Sequence, residues 1–81
     1  MVSHEGADNA LFEKLRQLRK GIAAKKGIPP YIVFSDESLW GMCEGLPKSP
    51  DDFLQVRGVG QKKLKTYGWE FMQAITDHCK R

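Results

Sequence analysis

Cysteine, histidine and unbroken apolar sequence are all scarce in this chain. Its two cysteines, Cys43 and Cys79, and two histidines, His4 and His78, form no C-x-x-C or H-x-x-x-H pair. A tetrahedral metal site needs such spacings to gather soft ligands, so no metal site is expected. Small disulfide scaffolds carry about four or more cysteines, so both thiols read as reduced and buried, which suits an intracellular protein. No apolar run approaches the roughly 18 residues of a membrane helix, and the opening residues lack the apolar centre of a signal peptide. A cytoplasmic protein without a membrane partner is the expectation. The Gly-x-x-x-x-Gly-Lys-Ser/Thr phosphate loop is also missing, which removes nucleotide hydrolysis by that route. His4 lies in the lead, and His78 falls in the last turn of a helix, where an imidazole caps carbonyls or faces water. No catalytic residue and no cofactor are therefore assigned.

What is present is enough for one domain. The chain has 81 residues, of which 41% are hydrophobic, and a chain of this size supports a single small core with modest stability. Residues 1–8 read as a flexible lead and residues 9–81 as the folded unit, expected to be a monomer. Gly27, Pro29, Pro30, Pro47, Pro50, Gly58 and Gly60 fall between apolar stretches and act as punctuation.

Leu11, Leu15, Leu18 and Ile22 recur at steps of four, three and four, which predicts an amphipathic helix from Asn9 to Lys26 with Asp8 or Asn9 as its cap. Winding at about 100 degrees per residue sets Arg16 and Lys20 opposite that stripe and Arg19 on its flank. Gly27 ends the helix. Pro29 and Pro30 cannot continue it, and the apolar run Tyr31-Ile32-Val33-Phe34 has no second strand to pair with. It reads as an extended or 3₁₀ connector, with Ile32 and Phe34 inward and Tyr31 and Val33 outward if it is extended. Ser35 or Asp36 caps a helix from about Glu37 to Gly45. Ser49, Pro50, Asp51 and Asp52 open another that runs to about Val56. A tight turn at Arg57-Gly58-Val59-Gly60 leads to a helix from Gln61 to Tyr67. Gly68 marks a bend before a last amphipathic helix to about Lys80, with Trp40 and Trp69 as core anchors. The fold class is all-α: a compact five-helix bundle with one short 3₁₀ or extended connector.

The formal charge is +3 and the isoelectric point near 9.0, but the distribution says more than the total. Residues 14–26 carry six cations and no acid; residues 27–56 carry five acids and only Lys48; Arg57, Lys62, Lys63 and Lys65 form a second basic block. Folded together, such blocks make a patch for an anionic partner; apart, they are solvated helix surface.

Two motifs carry candidate chemistry. In the first, Gly58-Val59-Gly60 joins a short capped helix to Lys62-Lys63, the form of a nucleic-acid backbone clamp. Glycines permit positive φ, and the free amides of the next helix meet a phosphate. The plainer alternative is a tight helix-to-helix connection. In the second, Tyr31 follows two prolines, which stiffen its backbone and can hold its ring out as a platform for a nucleobase. The alternative there is an ordinary core tyrosine.

Three segments in order, Leu11 to Arg19, Pro29-Pro30-Tyr31-Ile32-Val33-Phe34-Ser35-Asp36 and Gly58-Val59-Gly60-Gln61-Lys62-Lys63-Leu64, resemble the HRDC (helicase and RNase D C-terminal) domain. The likeness runs from about residue 9 to residue 80 and is strongest to the version found in bacterial RecQ-type DNA helicases. The resemblance implies a compact helical bundle that assists a larger enzyme. In RecQ-type members a tyrosine after the paired prolines belongs to the single-strand site, the place Tyr31 occupies. The implied function is weak, sequence-independent binding of single-stranded or partly unwound DNA by Tyr31 with Lys25, Lys26, Arg57, Gly58, Gly60, Lys62 and Lys63, in a cytoplasmic or nucleoid-associated helicase that acts in DNA repair and recombination. Two other readings stay open. One is a protein-interaction module that docks on its own helicase core or a repair partner through the acids of residues 36–52. The other is an RNA-targeting module of the RNase D type.

Overall fold

The computed structural model describes residues 9–79. The expected lead over residues 1–8, the capping role of Asp8 and the extension of the last helix to Lys80 lie outside the described residues. Helix α1, Asn9–Lys26, ends at Gly27, whose φ of +67° is the left-handed conformation that glycine adopts without strain. The Ile28 amide reaches back to the Ala23 carbonyl at 3.1 Å and the Gly27 amide to Ala24 at 3.3 Å, closing the helix in a Schellman motif. Leu11, Leu15 and Ile22 are buried as the periodicity predicts, but so are Arg19 and Ala23, while Leu18 is only half-buried. The buried stripe is therefore rotated toward Arg19.

The connector is one helical turn, α2, Pro30–Val33. Pro29 caps it in an extended conformation, Pro30 supplies its first residue, and the Ile32 amide closes on the Pro29 carbonyl at 3.0 Å, three residues back as in a 3₁₀ turn. Because the segment is helical, the alternation expected of an extended strand fails. Tyr31 and Ile32 are exposed, while Val33 and Phe34 are fully buried.

Helix α3, Asp36–Gly45, opens on Ser35, whose hydroxyl accepts the Ser38 amide. It closes at Leu46, which takes a left-handed φ of 47° and donates its amide to Met42. Helix α4, Pro50–Leu54, opens on Ser49, which accepts the Asp52 amide. Both starts follow the serine-acid pattern legible in the sequence.

The remainder is a single uninterrupted helix in three parts: α5, Gln61–Lys63; a π-helical segment, Leu64–Gly68; and α6, Trp69–Cys79. Gly68 is therefore no bend. It sits inside the π turn, where the Leu64 Cδ1 methyl lies 2.6 Å from the place a Cβ would take, so Leu64 packs across it and would have to shift for any other residue. Helix α1 packs against α2, α3 and α6, and α4 packs against the π segment.

Phe34 ties these layers together. Its ring meets Phe71 edge-on at 4.9 Å, Phe53 at 5.9 Å and Tyr67 at 6.0 Å. Its carbonyl accepts a hydrogen bond from the buried Arg19 guanidinium at 3.0 Å. The bundle of helices is the architecture expected; no strand is found among the described residues.

Candidate nucleic-acid interface

Tyr31 stands 65% exposed at the start of α2. The two preceding prolines fix its approach, and the burial of Val33 and Phe34 just beyond anchors the turn that presents it. Around Phe34 the two basic blocks meet. Lys26, from the last turn of α1, places its Nζ 5.3 Å from the centre of the Tyr67 ring. Lys63, from α5, places its Nζ 5.8 Å from the centre of Phe34. Cations held against ring faces keep their charge while their stems cover apolar surface. Lys25 and Lys62 are exposed on the same two elements. Thus residues 37 positions apart in sequence, Lys26 and Lys63, share one aromatic pair.

The turn before α5 divides the roles of its glycines. Gly58 has φ +83°, and a Cβ there would stand 2.5 Å from Ser38 Oγ, which itself donates to the Arg57 carbonyl at 2.7 Å. Glycine is required at 58 by both conformation and space. Gly60 has an extended φ of −109° with open space around it, so the positive φ that the motif suggests belongs to Gly58 alone. Gly60 caps α5 through its backbone, accepting the Leu64 amide at 3.0 Å. The first amides of a helix lack carbonyl partners within it, so those after Gly60 are the donors a phosphate would meet.

Arg57 has a different neighbourhood. Its guanidinium pairs with Glu37 at 2.6 Å, and both side chains are largely exposed. Together they line a groove of 720 Å³ between α3 and α4 with Trp40, Glu44, Asp52 and Gln55. Trp40 is half-buried and stacked on Phe12 with ring centres 3.9 Å apart, in keeping with its expected packing role. Trp69 departs from that expectation. It is 68% exposed, since it lies about 110 degrees around α6 from the mean direction of Phe71, Met72 and Ile75. The angular position was readable from the sequence; the aromatic identity pointed the other way.

Among the described residues no group of three or more His, Cys, Asp or Glu is placed to hold a metal ion, and no helix is long and apolar enough to cross a membrane. Cys43 is buried and Cys79 half-buried.

The family profile of the HRDC domain matches residues 8–75. Over 71 residues the chain is 49% identical to the ATP-dependent DNA helicase RecQ of Haemophilus influenzae, covering 88% of this chain and 12% of that protein. It is 42% identical to the protein of the same name in Bacillus subtilis over 73 residues, 90% of this chain and 12% of the relative. The ATP-dependent DNA helicase UvrD2 of Mycobacterium tuberculosis is 31% identical over 68 residues, 84% of this chain and 10% of the relative. Among solved structures, the third HRDC domain of D. radiodurans RecQ superposes with a TM-score of 0.83 at 27% identity, covering 88% of this chain and 93% of that one. The chain spans about 12% of the length of its RecQ relatives.

Proposed function

The chain belongs to the HRDC domain family, and on that footing we propose that it is the non-catalytic accessory module of a RecQ-like DNA helicase, binding single-stranded or partly unwound DNA weakly and without sequence preference. The observation that carries this reading is the convergence of Lys26 and Lys63 on the Phe34–Tyr67 pair, three residues beyond the exposed ring of Tyr31. A flat aromatic face accepts any base, and the adjacent cations meet the phosphates, which gives affinity without readout of base identity. Lys25, Lys62 and the amides after Gly60 extend the same basic surface, and Arg57 joins it when its pairing with Glu37 is exchanged. The relatives are named as DNA helicases, which favours DNA over the RNA-targeting alternative. The module acts as a cytoplasmic monomer within its parent chain.

A second reading has its own observation. The α3–α4 groove, lined by Glu37, Glu44 and Asp52 around Trp40, suits a basic segment of the parent helicase or of a repair partner.

A salt titration of a fluorescent single-stranded oligonucleotide separates the two, since phosphate contacts weaken steeply as salt rises. Tyr31→Ala is expected to weaken binding by roughly 1 to 3 kcal/mol, the value of one stacked base, with an unchanged melting temperature. Oligonucleotide binding that is absent at low salt, or untouched by Tyr31→Ala, would overturn the first reading.

A further inference from the structure

Away from the Phe34–Tyr67 pair, a crevice of 240 Å³ opens where α1 meets the start of α2, lined by Arg16, Gln17, Arg19, Lys20 and Pro30. Its wall of Arg19 is unusual for a cation. The side chain is only 9% exposed, and its NH1 nitrogen both donates to the Phe34 carbonyl at 3.0 Å and pairs with Asp36 at 2.8 Å. Its Nε is buried as well, and no acceptor among the described residues reaches it. A guanidinium offers its donors as a rigid planar fork, so fixing one edge on Phe34 and Asp36 fixes the direction of the rest. The other cations are less committed. Arg16 meets only Glu13 at 3.2 Å in an exposed pair, the kind that water and salt exchange readily. Lys20 has no salt-bridge partner among the described residues. Three cations and the Gln17 amide therefore face one small space, against the two carboxylates of Glu13 and Asp36.

We propose that this crevice seats a phosphate of the bound strand, with Arg16, Lys20 and Gln17 reaching its oxygens and Arg19 supplying a fixed charge in its wall. Phosphate suits the site because it brings several acceptor oxygens and a full negative charge to donors that the fold leaves unpaired. Pro30 ties the crevice to the stacking platform. It lines the crevice and is bonded directly to Tyr31, so a nucleotide whose base lies on Tyr31 carries its backbone past this opening. The inference rests on the single-strand reading above and adds to it a fixed place for the backbone beside the base.

The test uses the whole chain, a short oligothymidylate and nuclear magnetic resonance observation of the arginine Nε–H groups. In the unaltered protein the oligonucleotide is expected to move the Arg19 Nε–H signal. Replacing Arg16 and Lys20 together (Arg16→Gln, Lys20→Gln) is expected to leave melting unchanged, because both side chains are exposed. The same variant should weaken binding and reduce the salt slope by about 0.7, the value for the one single-strand phosphate no longer neutralised. If this variant binds with unaltered affinity and slope while Tyr31→Ala still loses affinity, the crevice is not the seat and the accessory DNA-binding reading stands. If inorganic phosphate moves the Arg19 signal and the oligonucleotide does not, the crevice is an adventitious anion site and the proposal falls. If the unaltered protein binds no oligonucleotide at any salt, both readings fall together.

Discussion

The surface where Lys26 and Lys63 meet the Phe34–Tyr67 pair and the groove between α3 and α4 are made of the same ingredients, aromatic rings beside charged groups, and end up electrostatically opposite. In the groove Arg57 is drawn onto Glu37, Trp40 lies against Phe12, and Glu44 and Asp52 make the rest of the charged lining acidic. Around the Phe34–Tyr67 pair, Lys26 and Lys63 rest over ring faces, and no carboxylate pairs with either among the described residues. An arginine in a basic block of sequence thus joins an acidic surface, whereas two lysines from separate blocks join each other. The contrast shows that charge blocks report which ions are available, while pairing decides which remain unneutralised for a partner.

The largest expected effect is on the turn beside these two regions. Gly58→Val combines strain of roughly 1 to 3 kcal/mol from a β-branched residue at positive φ with overlap against Ser38 Oγ. In a domain of this size each 1 kcal/mol corresponds to roughly 4 to 8 °C, so thermal denaturation should show a fall of about 10 °C or more. Gly60→Ser, at an extended capping position with open space, should hold or raise stability by up to about 1 kcal/mol. A melting temperature lowered equally by both changes would refute the division of roles. Retained stability with reduced oligonucleotide affinity in Gly60→Ser would show that a phosphate approaches that backbone closely.

Next in size is the paired replacement Lys26→Gln with Lys63→Gln. It should lower affinity for a single-stranded oligonucleotide and flatten its salt slope by about 1.4, at roughly 0.7 per phosphate, with little change in melting. Equal affinity before and after would place binding elsewhere on the surface. The smallest effect is predicted for Glu37→Gln. Releasing Arg57 from its exposed partner should leave affinity the same or slightly higher, because exposed pairs contribute only about 0 to 1 kcal/mol. A clear drop in affinity in that variant would mean that the groove, and not the lysine-bearing end, meets the strand.

Much of the scaffold was legible residue by residue. Ser35 and Ser49 cap helices as their sequence contexts indicate, Gly27 closes α1, and Leu11, Leu15 and Ile22 are core. The departures share a cause. Arg19 enters the core because Phe34 and Asp36 meet its guanidinium there, and that partnership lies outside the periodicity of α1. Gly68 looks like a break, but the helix continues through it as a π turn, with Leu64 packed across the space a side chain would take. Trp69 carries the composition of a core residue at a position the helix turns outward.

Capping chemistry, turn residues and helical periodicity act over a few bonds, and through them the sequence alone determined the all-α class, most element boundaries, the glycine turn at 58–60 and the candidacy of Tyr31 and the lysines, while the structure gave the positive φ of that turn to Gly58 and not to Gly60. Tertiary structure decided which of the charges are compensated. Arg57 went to Glu37 and Arg19 to Asp36, while Lys26 and Lys63 came together over Tyr67 and Phe34, because the bundle brings the end of α1 against the long C-terminal helix. Coulombic pairing depends on distance in space, and no local rule fixes the distance between residues separated by most of a domain.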